Sequence, residues 1–256
     1  MALPAETHPG PVHLTVSDLP RSLEYYQQTI GLSVLERENG RASLGGDDEL
    51  LVLVEEPGAT SARGHTGLFH FALLVPERRD LARWLGHATR HDVPLTGASD
   101  HAVSEALYLR DPDEHGIEIY ADRPRETWEG RVGEKLTTLP LDVDDLVTLD
   151  DGAFDGLPAA TTIGHVHLCV RDIPETLAFY RDTIGFDVTA AVRTQAVFLS
   201  AGGYHHHVGA NTWESAGAPP APPGTARLLR ATFVVPGADD RELRDPSGNT
   251  IALVGG

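Results

Sequence analysis

The sequence has little of what marks several common protein classes. It contains a single cysteine, which excludes an internal disulfide framework and fits a reducing compartment. Only 20 basic residues stand against 38 acidic ones, and the formal net charge of −18 argues against binding to nucleic acid or anionic lipid. No window approaches the roughly 18 consecutive apolar residues of a membrane span. We therefore expect a soluble cytoplasmic protein with neither a nucleic-acid nor a membrane partner.

The apolar residues that are present suffice for a substantial core. Hydrophobic residues make up 41% of the 256 positions, enough for one or two domains. The clearest local pattern is the segment 162–174, where a short strand runs into a helix. Alternate side chains of a strand share a face. One face therefore carries Val166, Leu168 and Val170, and the other offers His165, His167 and Cys169 to a cavity.

The same strand and helix occur near the start of the chain. Asp18 and Pro20 are typical of a helix start and Gly31 of a helix end, and Asp172, Pro174 and Gly185 repeat them in the same order. Short strands follow each copy. The recurrence predicts an internal duplication of a β-α-β-β-β unit.

A second kind of unit follows each copy. The first one starts at Gly67 and has a strand, a helix near 80–90 and two strands around Asp111-Pro112. Its partner starts at Leu228, but a much shorter stretch leads to Asp245-Pro246, so we expect it to lack the helix and a strand. We predict an α+β fold of four βαβββ-type modules, at 9–57, 66–122, 161–212 and 213–256, the last with a Pro-rich tether. An acidic linker at 123–160, expected to be a solvated loop, separates the two halves.

Two such modules together enclose a concave space lined by alternate residues of their strands. The first module offers Pro11, His13 and Thr15, and the second offers His70, Tyr108 and Glu118. The third offers His165, His167 and, on its predicted last strand, the run Tyr204-His205-His206-His207. The fourth has Arg230 and Ala252 where the second has His70 and Glu118.

These motifs resemble a known family. The Gly164-His165 strand start, the repeated units, and Asp111-Pro112 followed by Gly116-Ile117-Glu118 resemble the vicinal-oxygen-chelate superfamily, which includes glyoxalases, bleomycin-resistance proteins and extradiol dioxygenases. The segment from Phe198 to His206, and Tyr108 before Glu118, are most similar to the two-domain catechol 2,3-dioxygenases of bacteria.

The resemblance implies a metal held by one histidine from the first strand of one module and by a histidine and a glutamate from its partner. Modules one and two would give Pro11, or His13 in its place, with His70 and Glu118. Modules three and four would give His165, Arg230 and Ala252. Only a crossed pairing of module two with three gives His70, Glu118 and His165, and it leaves one and four as a scaffold. A long linker permits this pairing, since doubling a loop costs only about 0.6 kcal/mol.

The implied activity is extradiol ring cleavage of a catecholic substrate with O₂ by non-heme Fe(II), with Mn(II) as the alternative metal. His206 would move protons, with His205 or His207 as alternatives, while Tyr108 and His101 would contact the substrate. His13 and His167 are expected to pack behind the site.

Two other functions stay open. A glyoxalase-type metal-dependent isomerase or lyase would usually carry a second glutamate where this chain has His206. A metal-free drug-binding protein would line its concavity with aromatic residues. The shortened fourth module also leaves a sheet edge that a second copy of the chain could cover in a homo-oligomer.

Overall fold

The computed structural model describes residues 2–256, and most of its regular structure is β-strand. The strands are β1 (His8–Val16), β2 (Ser33–Glu38), β3 (Arg41–Gly45), β4 (Glu49–Glu55), β5 (Thr60–Ser61), β6 (Gly67–Leu74), β7 (Gly97–Asp100), β8 (Ser104–Arg110), β9 (Gly116–Asp122), β10 (Leu139–Pro140), β11 (Thr162–Cys169), β12 (Asp187–Val192), β13 (Ala196–Ser200), β14 (Val208–Asn211), β15 (Thr225–Ala226), β16 (Leu228–Val234), β17 (Arg241–Arg244) and β18 (Thr250–Val254). The helices are α1 (Leu19–Tyr25) with a π-helical turn (Tyr26–Ile30), α2 (Arg78–Arg90), α3 (Val132–Lys135), α4 (Val143–Val147), and α5 (Ile173–Leu177) with a π-helical turn (Ala178–Ile184). The predicted α+β class is confirmed.

Two large sheets organise these strands. The seven-stranded sheet has the order β17-β18-β16-β1-β4-β3-β2, and the nine-stranded sheet has the order β10-β7-β8-β9-β6-β11-β14-β13-β12. Strands from the first and fourth modules thus share one sheet, joined by the antiparallel pair β1 and β16. Strands from the second and third modules share the other sheet, joined by the antiparallel pair β6 and β11.

The repeated helices begin and end as their sequences indicate. The Asp18 carboxylate accepts a hydrogen bond from the Arg21 N–H at 3.0 Å, and Asp172 accepts one from the Glu175 N–H at 2.8 Å. Each helix then widens into its π-helical turn. Gly31 and Gly185 end the two copies with left-handed φ angles of 90° and 110°.

Each repeated helix is also tied to the turn of the following module. The Tyr26 hydroxyl donates to the Asp111 carboxylate at 2.9 Å, and the Tyr180 hydroxyl donates to Asp245 at 3.2 Å. The second oxygen of Asp111 accepts the N–H groups of Asp113 and His115, which fixes the turn. Residues from all four modules also belong to one buried apolar core.

The fourth module is shorter than the second. Residues 228–254 form three strands without a helix, whereas the second module has four strands and α2. Within residues 2–256, no helix has the length and apolarity needed to cross a bilayer.

The expectation of a solvated loop holds for most acidic side chains of the linker, which are exposed, but it was wrong for the linker as a whole, which contains α3 and α4. Trp128 and Leu146 are buried, and α4 packs against α2. The exposed Asp151 and the largely buried Asp150 pair with Arg83 and Arg90 of α2. Residues 123–160 therefore form a packed segment, called the linker strap below, because a few spaced apolar side chains suffice to bury one side of it.

Candidate metal centre

Three ligand atoms meet on the concave face of the nine-stranded sheet. His70 lies on β6, Glu118 on β9 and His165 on β11, and all three side chains are buried. Glu118 Oε2 lies 3.0 Å from His70 Nε2 and 3.1 Å from His165 Nε2, and the two Nε2 atoms are 3.3 Å apart. The strand register places the small Ala72 directly beside both Glu118 and His165, which leaves space above it for the three side chains.

These distances fit a shared cation. Ligand atoms bound at adjacent octahedral positions with bonds of about 2.1 Å would stand about 3.0 Å apart. Hydrogen bonding explains the cluster less well, because two imidazole N–H groups that both donate to one oxygen would face each other at close range. His70, Glu118 and His165 therefore form a set of donors suited to a divalent metal ion.

The protonation of the cluster also suits a metal. Burial alone would raise the pKa of Glu118, but the adjacent His165 and His70 outweigh it and hold that pKa well below its usual range. Burial lowers the pKa of His70, against the opposing effect of Glu118. A carboxylate and a neutral imidazole are the forms that ligate metals.

The histidine run lies in a loop and not on the last strand of its module, so that part of the prediction was wrong. β14 begins only at Val208, and the run follows Gly202 and Gly203, whose φ angles are 61° and 70°. A Cβ on Gly202 would lie 2.3 Å from the Ala5 carbonyl oxygen, which only glycine avoids. Strand parity therefore does not apply to these residues.

The loop nevertheless brings His206 to the cluster. The ring centroids of His206 and His165 are 4.1 Å apart, and His206 lines the adjacent cavity. Its Nδ1 lies 2.8 Å from Nδ1 of His205. His207 turns to the opposite side of the loop, where its Nδ1 accepts the Ala201 N–H at 3.2 Å. Burial and the neighbouring His165 lower the pKa of His206 well below its ordinary value.

Tyr108 and His101 are joined at the side of the cavity. Tyr108 is the register partner of Glu118, and its hydroxyl is 2.7 Å from His101 Nε2. His101 Nδ1 donates to the Thr137 carbonyl oxygen at 2.7 Å, so in a neutral ring Nε2 accepts the Tyr108 proton. Burial, with the nearby Glu118 carboxylate, raises the pKa of Tyr108 well above its ordinary value.

The two other histidines of the predicted faces have different surroundings. His167 lies in the cavity wall, paired with Asn211 at 3.0 Å, and burial lowers its pKa well below the ordinary value. His13 lies on the other sheet, where it accepts a hydrogen bond from Arg230 at 2.7 Å. His13 is therefore not part of the cluster.

A cavity of about 580 Å³ opens above the three ligand atoms. Aromatic side chains form one wall, with Phe69 and Trp213 in edge contact at 5.4 Å and Phe198 beyond His167. Leu136 and Thr137 of the linker strap also line the cavity. The site is thus a mostly apolar pocket whose lining includes the three candidate ligands.

Sequence reasoning missed Tyr120, Asp122 and Trp128, which lie behind His206. Tyr120 and Asp122 follow Glu118 on the same face of β9, and His205 and Trp128 pack beside them. The alternation that singled out Glu118 could have identified Tyr120 and Asp122. Tyr120 also explains Gly164, since a Cβ there would lie 1.7 Å from the Tyr120 hydroxyl oxygen.

Comparisons with known sequences give related enzymes. The chain is 44% identical to a catechol-2,3-dioxygenase of Bacillus subtilis over 93% of this chain and 86% of the relative. It is 27% identical to a biphenyl-2,3-diol 1,2-dioxygenase of a Pseudomonas species over 78% of this chain and 65% of that relative.

Comparisons with solved structures support the fold. Glyoxalase I from Zea mays matches with a TM-score of 0.59 and 15% identity, covering 98% of this chain and 92% of that chain. A Bacillus subtilis crystal structure matches with a TM-score of 0.62 and 13% identity, covering 96% and 84%.

The sequence model of one protein family, the glyoxalase/bleomycin resistance protein/dioxygenase superfamily, matches residues 8–119 and 162–234 of this chain. These ranges include β1 to most of β9 and β11 to β16, and so both halves of the chain and all three ligand residues. The chain belongs to the glyoxalase/bleomycin resistance protein/dioxygenase superfamily.

Proposed function

We propose that this chain is an Fe(II)-dependent extradiol dioxygenase that opens the ring of a catecholic substrate with O₂. The observation that carries the proposal is the convergence of His70, Glu118 and His165 at the end of an apolar cavity, with His206 and Tyr108 beside them. The name of the Bacillus subtilis relative, a catechol-2,3-dioxygenase, supports the same activity.

His70, Glu118 and His165 would hold the metal. Two imidazoles and one carboxylate on one side of an ion leave adjacent positions open, the arrangement of non-heme iron oxygenases, and Mn(II) accepts the same donors. The bound metal would supply the redox chemistry that links a catechol to O₂. Because the three ligands come from two different modules, neither module holds a complete set of these ligands alone.

His206 would exchange protons with the substrate. Its ring is neutral at pH 7, because burial and His165 hold its pKa well below the ordinary value. A neutral imidazole that faces the cavity can accept a proton from a catechol hydroxyl and later return it. Both steps need only one nitrogen atom of the ring.

Tyr108 would orient the substrate. Its raised pKa keeps the phenol protonated at neutral pH, and its proton is held by His101 Nε2. The phenol oxygen therefore keeps a lone pair that can accept a hydrogen bond from a substrate hydroxyl. Thr137 fixes His101 from the other side, so the pair is held by the linker strap.

The cavity wall suits an aromatic ring. Phe69, Phe198 and Trp213 present ring faces and edges to the pocket, and stacked or edge-on contacts with a substrate ring are favourable. His70, Glu118 and His165 are themselves almost fully buried, and low solvent exposure strengthens the electrostatic interactions among them.

Metal analysis and product formation test the proposal together. Protein purified without air should contain iron close to one equivalent, and addition of catechol and O₂ should give a yellow ring-opened product. The Glu118→Ala variant should bind no metal and have no activity. The Glu126→Ala variant removes an exposed linker carboxylate and should retain both metal and activity. Wild-type protein that binds neither iron nor manganese, or forms no product across several catechols, would contradict the proposal.

A further inference from the structure

A buried chain of hydrogen bonds lies behind His206. His205 Nδ1 is 2.8 Å from His206 Nδ1, and His205 Nε2 is 2.9 Å from Asp122 Oδ1. His205 is fully buried, whereas the Asp122 side chain is 26% exposed. Two adjacent rings and one carboxylate therefore run from the cavity wall to the surface.

The order of donors along this chain follows from Asp122. A carboxylate only accepts hydrogen bonds, so His205 Nε2–H must be the donor to Asp122. With one proton on the His205 ring, its Nδ1 carries a lone pair and accepts from His206 Nδ1–H. His206 then has no proton on Nε2, and that nitrogen faces the cavity with its lone pair free.

Neighbouring residues hold His205 and Asp122 in place. Tyr204 donates to the same Asp122 oxygen at 3.2 Å, and the Tyr120 and Tyr204 hydroxyl oxygens are 2.7 Å apart. The indole ring of Trp128 lies 5.6 Å from the His205 ring centroid. The loop backbone is also fixed, because the Thr189 hydroxyl donates to the His205 carbonyl oxygen at 2.7 Å.

We propose that Asp122 and His205 are positioning residues that fix the tautomer of His206, so that Nε2 is ready to accept a proton from the substrate. The kinetic consequence rests on the proposed role of His206 in ring cleavage. The tautomer itself does not depend on that role, and it can be measured without turnover.

Histidine ¹⁵N spectra of the metal-free and Zn(II)-loaded protein test the tautomer directly, with His206→Phe used to assign the signals. We expect wild-type His206 to carry its proton on Nδ1. His205→Phe, which keeps an aromatic ring in the buried site, and Asp122→Ala, at the more exposed end of the chain, should each shift His206 toward the Nε2–H form. Asp144→Ala, a change at an exposed linker carboxylate, should leave it unchanged. An Nε2–H tautomer in the wild type, or no change in either variant, would overturn the proposal whatever the activity.

Kinetics of the iron-loaded enzyme give a second readout. Asp122→Ala and His205→Phe should each lower kcat by at least about tenfold, less than the full loss of an acid–base group, with little change in KM for catechol. In a His206→Phe background, neither change should lower kcat further. Loss of bound iron, or a further fall in that background, would indicate a merely structural role and refute the positioning role.

Discussion

Acid should destabilise this protein through histidines that are buried in neutral form, and His207 allows the effect to be measured. The His207 side chain is buried, and its Nδ1 accepts the Ala201 N–H at 3.2 Å, so a ring with both nitrogens protonated would lose that bond. Burial, with the nearby His205, lowers the pKa of His207 to about 3. As the pH is lowered, the unfolded chain therefore binds a proton at this residue at a much higher pH than the folded chain does.

The magnitude follows from the two pKa values. A histidine in the unfolded chain has a pKa of about 6.5, whereas His207 in the folded chain has a pKa of about 3. The free energy of unfolding therefore has its full value above about pH 6.5 as far as His207 is concerned, and it falls as the pH is lowered from there toward about 3. Between pH 7 and pH 5 the unfolded ring becomes charged while the folded ring stays neutral. At about 1.4 kcal/mol per unit, this lowers the free energy of unfolding by about 2 kcal/mol.

Urea unfolding of metal-free protein at pH 5, 6 and 7 measures this contribution. His207→Asn is the informative variant, because its amide oxygen can still accept the Ala201 N–H but does not titrate. The stability advantage of the wild type over the variant should shrink by about 2 kcal/mol between pH 7 and pH 5. Parallel curves for wild type and His207→Asn would refute the reasoning.

Three further variants test the site and its surroundings. His165→Ala should lower metal affinity more than about 100-fold by elemental analysis and titration, because it removes a direct ligand, and full metal content would contradict the shared cluster. His206→Phe should keep its metal but lose about 10² to 10⁴ in kcat, and loss of metal would mean that His206 is a ligand. Gly164→Ala should cost about 2–4 kcal/mol in urea unfolding, because its methyl group would displace the Tyr120 hydroxyl, and this cost should fall in a Tyr120→Phe background.

Strand alternation predicted the faces of regular strands well. His70, Glu118 and His165 each lie inside a strand that is paired on both sides, so the period of two determines which way each side chain points. The ends of the two repeated helices could also be predicted from the sequence, because helix caps depend only on local chemistry. Asp18 and Asp172 cap the starts, and Gly31 and Gly185 terminate the helices.

The directions of side chains in irregular segments could not be predicted from strand alternation. His206 follows two residues with left-handed backbone, so its direction depends on the turn and on the Thr189 and Arg125 side chains that hold the loop. Trp128 lies in a stretch whose acidic composition suggested solvent. Its burial depends on contacts with His205 and Tyr204, which are distant in sequence.

The two sheets differ in how the chain supplies them. The nine-stranded sheet draws on one uninterrupted stretch, from β6 to β14, whereas the seven-stranded sheet needs β1 to β4 together with β16 to β18. During synthesis on the ribosome, the nine-stranded sheet can complete its strand pairing before residues 228–254 emerge. Until then, the edge of β1 that pairs with β16 has no partner strand. The nascent chain thus exposes the edge of β1 for most of translation, and the half most in need of chaperone protection is the half without the metal ligands.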